Sequence, residues 1–268
     1  MLKHRYMVVD LNVIEEGLNN YIHDDDQVVL PHMIISDLAG IKEDGRISKH
    51  INCLPGWLRA RGNQIWLARD WATIEEMEYS PDICINDLGW CDDKGSEVLR
   101  SGKDATSKQW LESFRDFESS ISRQIVEEGR KAFLHGCEQI GKHIKINDPD
   151  IISQIKSSKC WRTEIVRLVR EPIMAHIYAL MDPKYQTQEW NTALGRYPDK
   201  FAIGRMSRIM CWYSILQAAG IRNVQSNDFE DTSYAHAASY TGFIATEDSC
   251  LSDMVKAVFD YVTIISKH

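Results

Sequence analysis

Long apolar runs are missing from this sequence of 268 residues, although hydrophobic residues make up 44% of it. No stretch of about 18 consecutive apolar residues occurs, which argues against a membrane-spanning helix. The first apolar run stops at Asp10 after a few residues, so it does not resemble a signal peptide. We therefore expect a globular, cytoplasmic chain with a sizeable core and no membrane partner.

Paired cysteine motifs and glycine-rich phosphate loops are also missing. The seven cysteines are scattered without CxxC pairs, which favours reduced thiols over a disulfide framework. His135, Cys137 and His143 have no second pair of ligands beside them, so a structural zinc site is disfavoured. None of the phosphate-binding motifs GxxxxGKS, GxxxxGKT and GxGxxG follows a predicted strand. Nucleotide binding through such a glycine-rich loop is therefore disfavoured.

Positive charge is in deficit, because 31 Lys and Arg residues stand against 39 Asp and Glu residues, for a net charge of −8. Affinity for nucleic acid rests mainly on cationic contacts with phosphates, so a generic nucleic-acid binder is disfavoured. Two local basic clusters remain: Arg205 with Arg208, and Lys156, Lys159, Arg162, Arg167 and Arg170. Each cluster could guide a phosphate backbone, and each could equally be an ordinary solvated helix face.

The densest set of candidate functional acids lies in residues 227–265. Asn227 or Asp228 suits the N-cap of a helix that runs to about Tyr240, and Gly242 suits its C-terminal turn. A short buried strand over 242–246 then leads to Asp248, followed by a helix over 251–259 and a strand over 261–265. Because ligand sites of open α/β sheets lie beyond the carboxyl ends of the strands, Asp231 and Asp248 should face one crevice.

Parallel partners for these strands are predicted near the amino terminus. An apolar strand over residues 5–10 ends on Asp10, and a second strand covers 27–31. A helix over 32–39 carries Asp37, and a third strand covers 64–68. Because parallel strands need crossover connections, residues 1–70 and 198–268 together should form one α/β domain.

Residues 71–197 are predicted to form a mostly helical insertion. The segment 70–102 is irregular, with short helices. From Ser107, apolar residues recur every three or four positions, which predicts a long amphipathic helix broken near Gly129. The pattern returns over 150–181, with a kink or break at Pro172, and a core helix over 201–219 should end at Gly220. Four tryptophans of the insertion are better explained by core packing than by base stacking, namely Trp90, Trp110, Trp161 and Trp190.

Four acids in their local sequences resemble the acidic positions of PIN-domain nucleases. They are Asp10 in VVDLNVI, Asp37 in VVLPHMIISDLAG, Asp231 in DFEDTSYAHAASYTG and Asp248 in FIATEDSCL. The resemblance covers residues 5–68 and 205–265, and at the second position this chain has Asp37 where the family usually has Glu. It implies a PIN-like three-layer α/β/α fold with a central parallel sheet, interrupted here by the α-helical insertion.

The resemblance also implies a function. It favours a divalent-metal-dependent endoribonuclease that hydrolyses single-stranded RNA, acting as a toxin or a defence effector. An antitoxin or other protein regulator and a second copy of the chain are the further partners it suggests.

Clustered carboxylates repel one another unless protons or a cation compensate them. Mg²⁺ and Mn²⁺ prefer oxygen ligands, which suits aspartates without His or Cys. On this interpretation Asp10, Asp231 and Asp248 are metal ligands, and Asp37 is a further ligand or orients water. Asp228 is peripheral, and Asn12 and Thr246 orient the acids. Arg205 and Arg208 guide the substrate.

Two other functions fit parts of the pattern. A haloacid-dehalogenase-like phosphatase also begins with a strand that ends on Asp, but its DxDxT or DxDxV motif requires a second Asp where this chain has Asn12. A PIN-like module that binds RNA or protein without cleaving it is the stronger alternative. The acids at all four positions argue against it, whereas Asp37 in place of the usual Glu and the acidic surface leave it open.

Overall fold

A parallel β-sheet forms the centre of the molecule in a computed structural model that describes residues 5–33, 61–83, 89–101, 123–147, 149–171, 173–177 and 181–267. Within these ranges the sheet has five strands in the order β3-β2-β1-β4-β5. The strands are β1 (Tyr6–Val9), β2 (Gln27–Pro31), β3 (Ile65–Ala68), β4 (Phe243–Ala245) and β5 (Thr263–Ile265). Every neighbouring pair is parallel.

The central strand β1 pairs with strands from both ends of the chain. Val8 lies opposite Val29 of β2 on one side and Ile244 of β4 on the other. Residues of β2 are buried along its whole length, as expected for a parallel sheet that is covered on both faces. The architecture is therefore α/β with a central parallel sheet, consistent with three layers, and the expected joining of the two chain ends is observed.

Helices occupy most of the remaining described chain. The first six described are α1 (Leu11–Glu16), α2 (Trp71–Met77), α3 (Asp93–Ser101), α4 (Arg123–Asn147), α5 (Pro149–Ser157) and α6 (Trp161–Val169). They are followed by α7 (Met174–Ile177), α8 (Gln188–Arg196), α9 (Ala202–Ala218), α10 (Asp228–Thr241) and α11 (Ser249–Val258). Short 3-10 turns cover Leu18–Asn20, Gly62–Gln64, Pro183–Tyr185 and Pro198–Lys200.

The helices α9 and α10 each end at or just before a glycine that has a positive φ. Gly242 has φ +79°, and its N–H donates to Ala238 O at 2.8 Å, which closes α10. Gly220 follows α9 with φ +68°. Both predicted helix ends are confirmed.

Gly129 does not break the long amphipathic helix, as the sequence had suggested, because α4 runs through it. A Cβ at Gly129 would lie 2.8 Å from Cζ of Phe229 on α10. The glycine therefore permits close approach of two helices, and tertiary packing outweighs its low helix propensity.

The segment 150–181, whose apolar periodicity predicts a helix with a break at Pro172, contains a further break between two helices. α5 ends at Ser157 and α6 begins at Trp161. Between them the Ser158 hydroxyl accepts a hydrogen bond from the N–H of Cys160 at 3.0 Å. Such local side-chain to backbone bonds compete with helix formation and favour turns.

One buried apolar cluster joins the sheet to the middle of the chain. It contains β1 residues such as Met7 together with Phe133, Cys137 and Ile140 of α4. The Phe133 ring meets Tyr213 of α9 edge to face, with centroids 5.4 Å apart. The division into a domain and an insertion cannot be read from this shared core, and it stays a prediction.

The tryptophans of the middle segment behave largely as core residues. Trp90 and Trp190 are buried, and Trp161 packs partly buried against the main cluster. Trp190 belongs to a smaller cluster with Tyr185 and Phe201. Trp110 lies outside the described residues. In the part of the chain that the structure describes, no helix combines the length and apolar character needed to cross a membrane.

Candidate functional site

Asp10 lies at the carboxyl edge of the sheet because it directly follows the central strand β1. Its N–H donates to Ala245 O of β4 at 3.0 Å, and its side chain is buried. The Thr246 hydroxyl donates to Asp10 Oδ2 at 2.7 Å, and Asn12 Nδ2 lies 3.5 Å from the same oxygen. Burial raises the pKa of Asp10, although the hydrogen bond from Thr246 opposes that shift.

Thr246 also connects Asp10 to Asp248. The Thr246 Oγ1 that donates to Asp10 accepts a hydrogen bond from the N–H of Asp248 at 3.0 Å. The Asp248 side chain caps α11, because its Oδ1 accepts the N–H of Leu251 at 2.8 Å. The two acids therefore occupy neighbouring strand ends at one edge of the sheet.

Asp231 faces the same electrostatic environment from the first turn of α10. Burial raises its pKa to about 8, and the carboxylates of Asp248, Asp228 and Asp10 contribute to the increase. The Tyr213 hydroxyl donates to Asp231 Oδ2 at 3.4 Å, a long hydrogen bond. Asp231 and Asp248 are therefore electrostatically coupled, and the expectation that they face one crevice stays a prediction.

Asp228 has a different environment from the other acids. It is buried and forms an ion pair with Arg222, and its Oδ2 accepts the N–H of Gln225 at 2.8 Å. Asn227 occupies the N-cap position of α10, but neither its side chain nor that of Asp228 makes the predicted cap hydrogen bond. The charge of Asp228 is therefore compensated within the protein, and its peripheral role in the site stays a prediction.

Sequence reasoning missed three residues beside the acids. Arg222 supplies a positive charge that lowers the pKa of Asp231. Its guanidinium also contacts Cys250 Sγ on α11, and burial raises the pKa of that thiol to about 12. Tyr213 approaches from α9. Cys250 lies two positions after Asp248 and Arg222 lies six before Asp228, so closeness in the sequence was the available signal for both. No such closeness connects Tyr213 to the acids.

The proposed guiding arginines are buried on the first two turns of α9. Arg205 Nη1 donates to Ser239 Oγ at 3.0 Å, near the end of α10 that lies away from Asp231. Arg208 Nη1 donates to Val169 O at 2.5 Å, and its Nε lies 2.9 Å from Asp199 Oδ1. These contacts give both arginines structural roles, and guidance of substrate stays a prediction.

In the second basic cluster, several cations contact acids or carbonyls at the surface. Arg162 Nε lies 3.0 Å from Asp253 Oδ2, and Arg170 Nε donates to Ala257 O at 2.9 Å. Both contacts join α6, or Arg170 directly after it, to α11. Guidance of a phosphate backbone by this cluster stays a prediction.

Asp37 lies outside the described residues, so the fourth acid cannot be placed relative to the other three. Among the residues that the structure describes, no group of three or more His, Cys, Asp and Glu side chains is arranged to hold a metal ion. On α4, His135 and His143 are exposed whereas Cys137 is fully buried. Those three side chains therefore do not converge as zinc ligands.

Asp10, Asp231 and Asp248 nevertheless have the donor chemistry that a hard divalent cation requires. They are oxygen donors, and burial together with repulsion by the neighbouring carboxylates raises the pKa of Asp231. Mg²⁺ is usually held by only one or two carboxylates and keeps several waters, so direct contact with all three acids is not required. Comparison of the chain with known protein families, curated proteins and solved structures found no match.

Proposed function

We propose that this protein is a divalent-metal-dependent endoribonuclease with a PIN-like fold, whose reaction site is the crevice between Asp10, Asp231 and Asp248. The observation that carries the proposal is the bridge made by Thr246, which contacts both Asp10 and Asp248 at the carboxyl edge of the sheet. That edge is where parallel α/β sheets bind ligands.

The ligand set favours Mg²⁺ or Mn²⁺ over softer metals, because carboxylates and water are the donors these ions prefer. Asp10, Asp231 and Asp248 would hold the ion directly or through water. When bound, such an ion acidifies water and stabilises negative charge on a phosphodiester and its leaving oxygen. No nucleophilic side chain is then needed.

The remaining residues organise the charge of the crevice. Thr246 fixes the orientation of Asp10 through its hydroxyl, while α11 holds Asp248 through the Leu251 N–H. Arg222 pairs with Asp228, so the carboxyl groups left to receive a cation are those of Asp10, Asp231 and Asp248. This arrangement supports attraction of a cation in a protein that is acidic overall.

RNA is the proposed substrate, and the resemblance to PIN-domain nucleases supports single-stranded RNA in particular. The same resemblance supports a toxin or defence role, with an antitoxin or other protein regulator as partner and a homodimer as assembly. A PIN-like module that binds without cleaving would have the same crevice. The experiment below separates these two functions.

The test is cleavage of a labelled single-stranded RNA in Mn²⁺ and in EDTA. Wild type should cleave only with metal, and Asp10→Asn and Asp248→Asn should each lower the rate by at least about 100-fold. The double variant should be little worse than either single variant, because both changes damage one cation site. Asp25→Asn changes an exposed acid on a turn and should retain full activity.

Thermal melts decide whether the crevice binds metal at all. Mn²⁺ should raise the melting temperature of wild type and of Asp25→Asn, and it should have little effect on Asp10→Asn. Wild-type cleavage by Asp10→Asn, together with no stabilisation of wild type by Mn²⁺, would reject the nuclease assignment. RNA binding without cleavage would then identify the non-catalytic module.

A further inference from the structure

A cavity lies at the opposite edge of the sheet from the acids. It has a volume of about 380 Å³ and is lined in part by Arg196, Lys200, Arg205, Ser239, Tyr197 and Tyr261. Ser239 belongs to the last turns of α10, and Tyr261 precedes β5. Ser239 lies eight positions after Asp231 on α10, or about 12 Å along the helix axis. The cavity is therefore distinct from the acidic crevice.

The lining is cationic although the protein as a whole is acidic. Lys200 and Arg196 are exposed at its rim, and Arg205 is buried at its wall. The acid in the lining, Asp199, has its carboxylate 2.9 Å from the Arg208 guanidinium. The cavity consequently has an excess of positive charge, which favours an anionic ligand.

Hydrogen bonds and ring contacts hold Arg205 in place at the wall of the cavity. Arg205 Nε donates to Asp199 O at 2.7 Å, and the guanidinium carbon lies 3.8 Å from the centroid of the Tyr240 ring. A Cβ at Gly204 would lie 2.1 Å from Pro198 O. Glycine at this position therefore allows the turn Pro198–Lys200 to pack on α9, and that turn forms the rim.

Aromatic surface accompanies the charge. Tyr197 and Tyr261 are 44% and 47% exposed. Lys200 Nζ lies 4.2 Å and Arg196 Cζ 5.2 Å from the Tyr197 ring centroid, which keeps both cations near that ring. The Tyr261 hydroxyl donates to Ser239 O at 3.2 Å, which orients the second ring. Cations beside aromatic faces are the combination that binds phosphates and stacks bases.

We propose that this cavity binds a nucleoside phosphate, presented either as a free nucleotide or within single-stranded RNA. The phosphate contacts Lys200 and Arg196, and the base lies against the tyrosines. The cavity is large enough for a small organic ligand, whereas inorganic phosphate would leave most of it empty. The proposal goes beyond the nuclease proposal and does not depend on it, because no acid of the crevice takes part.

Binding is measured with the full chain in EDTA, so that cleavage cannot interfere. The probes are ADP by calorimetry and fluorescein-labelled hexauridylate by anisotropy. Arg196→Glu/Lys200→Glu should raise the dissociation constant of the bound probe at least about tenfold, because two phosphate contacts become repulsive. The matched control is Lys145→Glu, which reverses the charge of an exposed lysine on α4 and should change binding less than about twofold.

The comparison of probes identifies the source of the ligand. Tighter binding of hexauridylate than of ADP indicates an RNA strand, and equal or tighter binding of ADP indicates a free nucleotide. Asp248→Asn changes the acidic crevice and leaves the cavity lining intact, so it should bind both probes as wild type does. Loss of RNA cleavage and loss of probe binding are therefore separate results, and failure of the nuclease proposal is distinguishable from failure of this one. Three results overturn the proposal: no binding of either probe, equal binding by the double variant, or inorganic phosphate binding as tightly as ADP.

Discussion

The Thr246 hydroxyl donates a hydrogen bond to Asp10 Oδ2 at 2.7 Å, which joins two residues 236 positions apart in the chain. This contact is buried and connects two strand ends of the sheet. Thr246→Val removes the hydroxyl with little change of shape. We expect it to lower the free energy of unfolding by about 1–3 kcal/mol, because Asp10 loses a charge-assisted bond and the Asp248 N–H loses its acceptor.

The control for this change is Thr246→Ser, which keeps the hydroxyl and removes only a methyl group. Urea unfolding should show most of the lost stability restored, and metal-dependent RNA cleavage should follow the same order. If Thr246→Ser is as inactive as Thr246→Val, the hydroxyl does not organise the crevice and the methyl packing matters instead.

Breaking the ion pair between Asp228 and Arg222 should affect stability more than catalysis. Asp228 is buried, so Asp228→Asn leaves the Arg222 guanidinium without its charge partner. We expect a loss of about 1–3 kcal/mol in urea unfolding, since Arg222 is partly exposed and water compensates it in part. At low temperature the folded variant should keep most of the metal-dependent cleavage of wild type.

A double-mutant cycle that combines Asp228→Asn with Arg222→Met measures the interaction energy between the two side chains. The two single changes should not add, because each removes the same interaction. A variant Asp228→Asn that is fully stable yet inactive would instead make Asp228 a member of the reaction site.

Asp231 should make the metal-free protein less stable as the pH rises. Its pKa is about 8 in the folded chain, against an ordinary value of 3.8. The folded chain therefore keeps a proton that the unfolded chain releases between these values, so this residue's contribution to stability falls as the pH increases from about 4 to about 8. Asp231→Asn removes that dependence.

Thermal melts in EDTA at pH 5 and pH 8 check this expectation. The stabilisation by Asp231→Asn should be larger at pH 8, growing by up to about 1.4 kcal/mol for each pH unit. Asp25→Asn, at an exposed position, should give no such trend. An equal shift in melting temperature at both pH values would show that the pKa of Asp231 is not raised in the folded chain.

The same substitution at two helical glycines should have opposite effects. At Gly129 a Cβ would meet Phe229 Cζ at 2.8 Å, whereas at Gly195 the nearest atom is His176 Cε1 at 3.6 Å. Gly129→Ala should therefore destabilise the protein by about 1–3 kcal/mol through overpacking. Gly195→Ala should stabilise it by about 0.5–1 kcal/mol, because alanine favours the helix.

Chemical denaturation of the two variants measures both effects. Stabilisation by Gly129→Ala would mean that α4 and α10 do not approach as closely as the structure shows. The pair also tests how firmly the middle of the chain is bound to the sheet, since α10 packs on β1 and β4.

Local sequence determined the elements near the candidate site. Apolar runs that stop on Asp10 and Asp248 predicted strand ends, and Gly242 predicted the end of α10, because only a few residue types tolerate a positive φ. The position of the acids at the carboxyl edge followed from these elements together with the rule for parallel sheets. The spacing of apolar residues shows which face of a helix or strand is buried. It therefore located the helices and strands but did not specify which of them pack together.

Tertiary structure alone decided which side chains meet. It paired Asp228 with Arg222, buried Arg205 and Arg208, and carried α4 unbroken through Gly129. Sequence patterns did not show these results, because each depends on which atoms the fold brings together. Those atoms come from six positions away for Arg222 and Asp228, and from distant segments for the others. A glycine breaks a helix or permits close packing according to what lies opposite it, and an acid caps a helix or pairs with a cation according to which partner the fold brings within reach.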